Sequence, residues 1–579
     1  MNKRKALSLL LAGTMVAGLL AGCGNGAQNS NETPGAQNSP AAGGETTANG
    51  TTANEITVNF ASEPESLDPA RNTTVDGSIM INHLFEGLMT WEDSGEETVG
   101  SNGTCNNAKL VPGQAESYDV TTNEDGTVTY TFHLRDGIKW SDGKDVTAQD
   151  FVFSWQRLVS PDTASDYSNM LSGVVNAIAI TNGEMDPSEL GVAAPDEKTF
   201  EVTLVNDLPY FLEICAFPSC MPVREDVVSD TQWTYSPETF VSNGAYKLDI
   251  RKTNDQISMV PNENYYGVEE LGPDRITFKL MDNDNAILNG FKSGDLDFIQ
   301  SMPVDEVAGL IASGDLNIVN YIGVYYVCFN TEKAPFDDPL VREAFTLAID
   351  RNYMVEQITQ AGEVPAGGFV PSGVYDAAGT EGEDFRTVGG NYYSIAEEDY
   401  EANCERAREL LAEAGYPNGE GFPVVEYLYN TNDGHKKIAE ALQNMWKTVL
   451  GVEVTLNNQE WNAFLQVRKD GDYAICRNGW IADYNDPMSF LDMWLTGGGN
   501  NDAQYSNENF DNLIAQARTE TDAAKRMELL HQAEDQIIGT DHALCPIYFY
   551  TQKYLLADDI QGMYYTPLGY FFFDQCTRG

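Results

Sequence analysis

HKKIAEALQNMWKTVLGVEVTL, residues 435–456, sets the fold class. Its apolar positions are Ile438, Ala441, Leu442, Met445, Trp446, Val449 and Leu450. That i, i+3, i+4, i+7 spacing marks a helix that covers a sheet with one face. Gly451 supplies the C-cap, because glycine accepts the left-handed turn that ends a helix. Val452–Leu456 then alternates as a strand, which makes the segment part of a β-α-β unit and the protein α/β.

Working outward, Asp338-Pro339 predicts an N-cap and first-turn proline for a helix ending near Gly362. A further helix is expected over Tyr400–Ala414, stopped by Gly415 and Pro417. Upstream the signals are strands. Tyr118–Arg135 reads YDVTTNEDGTVTYTFHLR, with Asp125-Gly126 between two alternating runs, a hairpin signature. Glu201–Val205 and Arg275–Met281 read as further short strands. The chain thus begins mixed and β-rich and ends α/β, with no long linker between the halves. Its 579 residues exceed what one core can serve, so two or three lobes joined by crossing strands are expected.

The first residues read as an export signal. Lys3, Arg4 and Lys5 precede the apolar run Ala6–Leu20, too short to span a bilayer as a helix. Leu20-Ala21-Gly22-Cys23 matches the bacterial lipobox, which implies cleavage before Cys23 and lipidation of its thiol. Gly24–Asn54, rich in Asn, Gly, Thr, Ala and Pro, buries too little to fold and is expected to be a tether on the order of 30 Å long. The protein is expected at the cell membrane, held by lipid on its extracytoplasmic face. Eight cysteines follow Cys23, and Cys215 and Cys220 stand close enough for a small disulfide loop.

Composition excludes some partners. With 88 acidic and 34 basic residues the formal net charge is -54, which repels nucleic acid. No HExxH, P-loop, GxSxG elbow or GxGxxG after a strand is present, and the five histidines form no metal spacing. Asp282–Asn285 begins like a calcium loop but lacks the sixth-position glycine and twelfth-position glutamate, so a solvated turn is expected. No enzyme, cofactor or metal is indicated.

One acid stands apart. In RNGWIADYNDPMSF, residues 477–490, Asp483 lies among Trp480, Ile481, Ala482 and Tyr484. A carboxylate there must be protonated, paired within the chain (Arg477 is the nearest cation), or waiting for a cation from outside.

Several stretches together resemble the peptide-binding group of the bacterial extracellular solute-binding proteins, family 5, whose oligopeptide-binding lipoproteins serve peptide ABC importers. They include SEPESLDPA (62–70), LFEGLMTW (84–91), TFHLRDGIKWSDGKDVTAQDFVFSWQRL (131–158) and NGAYKL (243–248). FKSGDLDF (291–298), KAPFDDPLVREAFTLAIDR (333–351), YNTNDGHKKIA (429–439), NNQEW (457–461) and NGWIADYNDPMSF (478–490) complete the set. The resemblance implies a periplasmic-binding-protein-like two-lobed fold of mixed β-sheets covered by helices. Lobe I would comprise 55–85, 235–325 and 546–579, lobe II 326–545, and 86–234 would be an inserted domain. It implies a monomer that captures short peptides by lobe closure and delivers them to the permease.

It also implies roles. Asp483 would pair with the peptide α-ammonium, with Tyr167 and Val75 nearby. Trp461, His435 and Arg468 would line side-chain pockets, and Arg477 would meet a carboxylate. Main-chain pairing with the ligand is expected along Gly479, Trp480, Ile481, Ala482 and Asp483 and along Tyr325–Val327, Tyr326 included. The pattern departs at Thr73, where relatives carry an acid, at Thr359, where they carry a lysine, and at Gly323 and Ile481, which replace a cysteine pair. A non-peptide ligand (metal complex, haem, oligosaccharide) or a peptide-sensing role without transport are the alternatives.

Overall fold

The computed structural model describes residues 54–60 and 63–579. The leader, Cys23 and the tether through Ala53 lie outside the described residues. Among the described residues no helix is long and apolar enough to cross a membrane.

The β-α-β unit forms as its sequence pattern requires. Val425–Asn430 and Val454–Gln459 pair in parallel, joined by the helix Asp433–Leu450. Asn432 caps that helix by accepting from the His435 amide at 3.0 Å, and Gly451 ends it at φ 71°. Ile438, Leu442, Met445, Trp446 and Leu450 are its buried face. Trp446 satisfies its indole N–H on the Phe345 carbonyl at 3.0 Å, so its whole ring can be sealed in the core.

This unit ends an eleven-stranded mixed sheet. Its order is Val454–Gln459, Val425–Asn430, Ile475–Ile481, Asn317–Phe329, Leu544–Leu556, Phe298–Ile299, Glu55–Asn59, Arg275–Lys279, Gln256–Pro261 and Tyr246–Lys252, with Val364–Pro365 added beside Leu544–Leu556. The two central strands, Asn317–Phe329 and Leu544–Leu556, are antiparallel and 13 residues each. Their register shifts between Asn320 and Val324, and such an irregularity bends and twists a ladder. On one side of the shift the sheet continues, through Leu544–Leu556, into Phe298–Ile299, Glu55–Asn59 and the strands between Tyr246 and Lys279; on the other it continues into the Ile475–Ile481 strand.

Three smaller sheets complete the strands, one of them the pair Ile560–Gln561 and Thr577–Arg578. Ala115–Thr122 and Val128–Leu134 form the expected hairpin, with Gly126 at φ 89° in its turn, and pair on with Thr199–Leu204 and Val192–Asp196. Met89–Glu97 and Asn106–Pro112 pair with Tyr564–Tyr565 and, through it, Phe571–Phe572 near the C-terminus.

Three details differ from the sequence reading or sharpen it. The helix that starts at Asp338 is cut after Leu347 rather than running to Gly362. Asp350 opens a new turn by accepting from Tyr353, and the buried Arg351 guanidinium takes the Thr346 and Ile349 carbonyls that a continuous helix would have used. All cysteines among the described residues are buried and free, Cys215 and Cys220 included, so the small disulfide loop is not formed. Asn283, in the calcium-like segment, caps the helix Asp284–Ser293 by accepting from Ala286 at 2.9 Å.

Candidate ligand-binding site

The Ile475–Ile481 strand delivers the main chain to Asp483, and the loop that follows is tied down on every side. Trp480 donates its indole N–H to the Ser489 carbonyl at 2.8 Å, and Asp483 N–H donates to Ser489 Oγ at 2.8 Å. Tyr484 stacks on Tyr210 with centroids 4.2 Å apart, and Asp486 receives both guanidinium nitrogens of Arg526 at 2.7 and 2.8 Å. Asp486 is therefore the acid that anchors the loop, which frees Asp483 from that task.

Asp483 is buried, 7 % exposed. Its Oδ1 accepts from the Tyr167 hydroxyl at 3.0 Å and its Oδ2 from Ser489 Oγ at 3.3 Å. Among the described residues no Lys, Arg or His forms an ion pair with it; Arg477 does not. Burial holds its carboxyl well above the usual carboxylate range, the nearby Asp492 adds to this, and the two hydroxyls oppose it. Such a group is satisfied either by a proton or by a cation with its own N–H donors.

The adjacent strand edge is open. Ala482 N–H donates to the Ile322 carbonyl at 2.9 Å. By the two-residue period of a strand, even-numbered main-chain groups then face the Asn317–Phe329 strand and those of Arg477, Gly479 and Ile481 face away. On that far side the Val425–Asn430 strand pairs only with Ile475 and Cys476. Gly479 N–H is taken by Asn478 Oδ1 at 2.8 Å. The Gly479 carbonyl and both main-chain groups of Ile481 face this open side. A Cβ at Gly479 would lie 2.5 Å from the Tyr550 hydroxyl, so any other residue there would force the Tyr550 side chain to shift.

The second expected pairing segment is corrected. Tyr325, Tyr326 and Val327 pair with Gly479, Asn478 and Arg477 on one side and with Tyr548, Pro546 and Cys545 on the other. Their main chain has no free edge, and the Tyr326 ring is packed in the core against Phe369 and Trp494. Tyr326 is not at this site.

The remaining residues converge. Val75, Tyr167, Trp461, Arg468, Arg477 and Gly479–Asp483 line one cavity of about 270 Å³. His435 lines an adjacent cavity of about 360 Å³, and the two share Asp76, Tyr321, Trp461, Arg477 and Tyr550 as walls. Tyr167 packs on Phe217 at 5.0 Å and Trp480 at 6.3 Å. Val75 is the first residue of the helix Val75–Leu84, capped by Thr74. Trp461 stacks on Phe464, and its indole N–H is buried without a partner.

The arginines differ in state. Arg468 is neutralised by Asp502 at 2.8 Å and donates to Asn478 Oδ1 at 2.8 Å, so it is a wall rather than a free cation. Arg477 lies over the Tyr325 ring, 5.4 Å from its centroid, and among the described residues no carboxylate pairs with it. His435 sits with its Nδ1 3.5 Å from the Tyr325 hydroxyl, and burial, with the Arg477 and Lys553 charges, lowers its pKa well below the ordinary value. It is a neutral ring at physiological pH. Thr73 and Thr359 are both occupied by internal acids, Glu65 and Glu363.

The site is thus an open strand edge that ends at a buried acid with no cationic partner among the described residues. The model of the bacterial extracellular solute-binding proteins, family 5 (middle region), matches residues 109–502. The chain belongs to that family. Over 582 residues it is 33% identical to the oligopeptide-binding protein OppA of Bacillus subtilis, covering 99% of both chains. Among family 5 structures, OppA of Haemophilus influenzae in complex with the peptide RPPGFSPFR superposes with a TM-score of 0.82 at 33% identity, over 91% of this chain and 99% of that one. The Escherichia coli murein tripeptide binding protein MppA gives 0.81 at 33% identity, over 91% and 99%. Its unliganded open form gives 0.57 over 90% and 95%. The fold is that of these periplasmic binding proteins, mixed α/β, and family 5 is a solute-binding family rather than an enzymatic one.

Sequence reasoning missed Asp76, Tyr321, Tyr550, Tyr570 and Asp502 as lining residues. Asp76 had a usable signal, since it follows Val75 in a helix first turn. Tyr550 had none: it reaches the cleft from a strand distant in sequence.

Proposed function

We propose that this protein captures oligopeptides by their free amino terminus and delivers them to an ABC importer. The observation that carries this reading is the buried Asp483 carboxylate, held by two hydroxyls and paired with no cation among the described residues. The open edge at Gly479 and Ile481 adds contacts to groups that every peptide shares, as in β-augmentation. A receptor for many sequences needs that combination.

The two-lobe reading accompanies it. Lobe I is drawn from 55–85, 235–325 and 546–579 and lobe II from 326–545, closing on the guest about the central strands. The better match to the relative's other structure than to its open form supports closure. Within the proposed insert, 86–234, the segment Met89–Pro112 shares a sheet with the C-terminal strands, so the insert's own sheet begins at Ala115. Lipid on Cys23 would hold a monomeric receptor at the outer face of the membrane beside its permease.

Calorimetry with trialanine and N-acetyl-trialanine tests the reading. The free peptide is expected to bind at least 10²-fold more tightly, the scale of leaving one partner of a buried ion pair alone. Equal affinities would overturn amine capture. Loss of growth on peptides after deletion of the gene would separate transport from sensing.

A further inference from the structure

Asp483 accounts for one cation of a bound peptide, yet the cleft holds a second acid with no use. Asp76, the second residue of the Val75–Leu84 helix, belongs to the wall shared by the two cavities. Its Oδ2 is buried without a hydrogen-bond partner, and among the described residues no Lys, Arg or His pairs with it. Burial pushes its carboxyl up to about 6. The neighbouring Glu65 is already neutralised by Lys469 at 2.7 Å, and Arg477, which lines the same shared wall, forms no ion pair with Asp76.

The surroundings of Asp76 are aromatic. Tyr321, Trp461 and Tyr550 line the same shared wall. Aromatic faces beside a carboxylate suit a long side chain with an apolar stem and a cationic end, which gains stem burial, cation–π attraction and a charge-assisted hydrogen bond together. The overall charge of -54 favours such a guest at long range.

We propose that Asp76 makes the cleft selective for peptides with lysine or arginine at the second or third residue, the carboxylate taking the side-chain cation while Tyr321, Trp461 and Tyr550 cover its stem. The position follows from the layout: the amino end is fixed at Asp483 in the first cavity, each extended residue advances about 3.3 Å, and Asp76 stands where the first cavity meets the second. Side-chain alternation lets only one of the two residues face it. The inference rests on the peptide reading above.

The test compares four tetrapeptides: Ala-Lys-Ala-Ala, Ala-Ala-Lys-Ala, and the same two with norleucine for lysine. Affinities are measured for the wild type and for Asp76→Asn. At one of the two positions the wild type is expected to bind lysine about tenfold or more tighter than norleucine, with the ratio falling to about one in Asp76→Asn. Equal binding of lysine and norleucine peptides at both positions by the wild type overturns the inference while leaving the peptide reading intact. A lysine preference that survives in Asp76→Asn also overturns it. No binding by any tetrapeptide overturns the peptide reading and this inference with it.

Discussion

The Tyr167 hydroxyl donates to Asp483 Oδ1 at 3.0 Å across 316 positions of sequence. The bond joins the segment expected to form the insert to the loop after the Ile475–Ile481 strand, so the acid is oriented before any guest arrives. Preorganisation of this kind spares a ligand the cost of ordering its own partner.

Asp483→Asn should weaken binding of a free tripeptide by about 10² to 10³-fold, read by calorimetry. The empty protein should not suffer. Because burial raises this carboxyl's pKa above its unfolded value, the stability it contributes is present at low pH and lost as pH rises through the folded value. At pH 7.5 the ligand-free variant should therefore melt at or above the wild-type temperature. A large drop in Tm would assign Asp483 a structural role instead.

Binding should release protons. The raised pKa keeps part of the empty protein protonated at Asp483, whereas an ammonium guest needs the carboxylate. Affinity should rise with pH until the guest's own α-amino group, ordinarily near 7.7–8.0, loses its proton. Calorimetry at pH 6 in two buffers of different ionisation heat measures the release directly, and proton uptake would contradict it.

Gly479→Ala should weaken peptide binding about tenfold or more, because the new Cβ would lie 2.5 Å from the Tyr550 hydroxyl. Adding Tyr550→Phe removes that oxygen and should restore part of the loss, as a double-mutant cycle would show. Strict additivity of the two changes would mean the clash is relieved elsewhere.

Much of this was legible beforehand. The β-α-β unit, the hairpin at Asp125-Gly126 and the caps at Asp338 and Gly451 follow from local pattern, because periodicity and backbone chemistry decide them within a few residues. Asp483 stood out because an acid among Trp480, Ile481 and Tyr484 is poorly solvated if that run is buried, and the family resemblance pointed to the same residue. Pairing partners were less accessible. That Tyr325–Val327 is closed on both sides depends on which strands flank it, and those come from residues 475–481 and 544–556. The break after Leu347 was hidden for a similar reason, since Arg351 also binds the distant Pro546 carbonyl.

Trp446→Ala should cost about 3–5 kcal/mol in urea unfolding, since a fully buried indole and its bond to Phe345 are lost together. Peptide affinity of the folded fraction should change little, because Trp446 lines neither cavity.

If Cys23 carries the proposed lipid, Cys23→Ala should shift the protein from the membrane fraction to the soluble one, measured by immunoblot of fractionated cells. Retention in the membrane fraction would point to another anchor.

If peptides bind as proposed, the free edge along Gly479 and Ile481 places much of the grip in atoms that every amino acid carries. On the proposed reading, point substitutions along that strand, proline aside, would alter which guests are preferred without deleting the carbonyls and amides that hold them. A lineage of such proteins can thus change its diet by drifting at the cavity walls while its general hold on polypeptide persists.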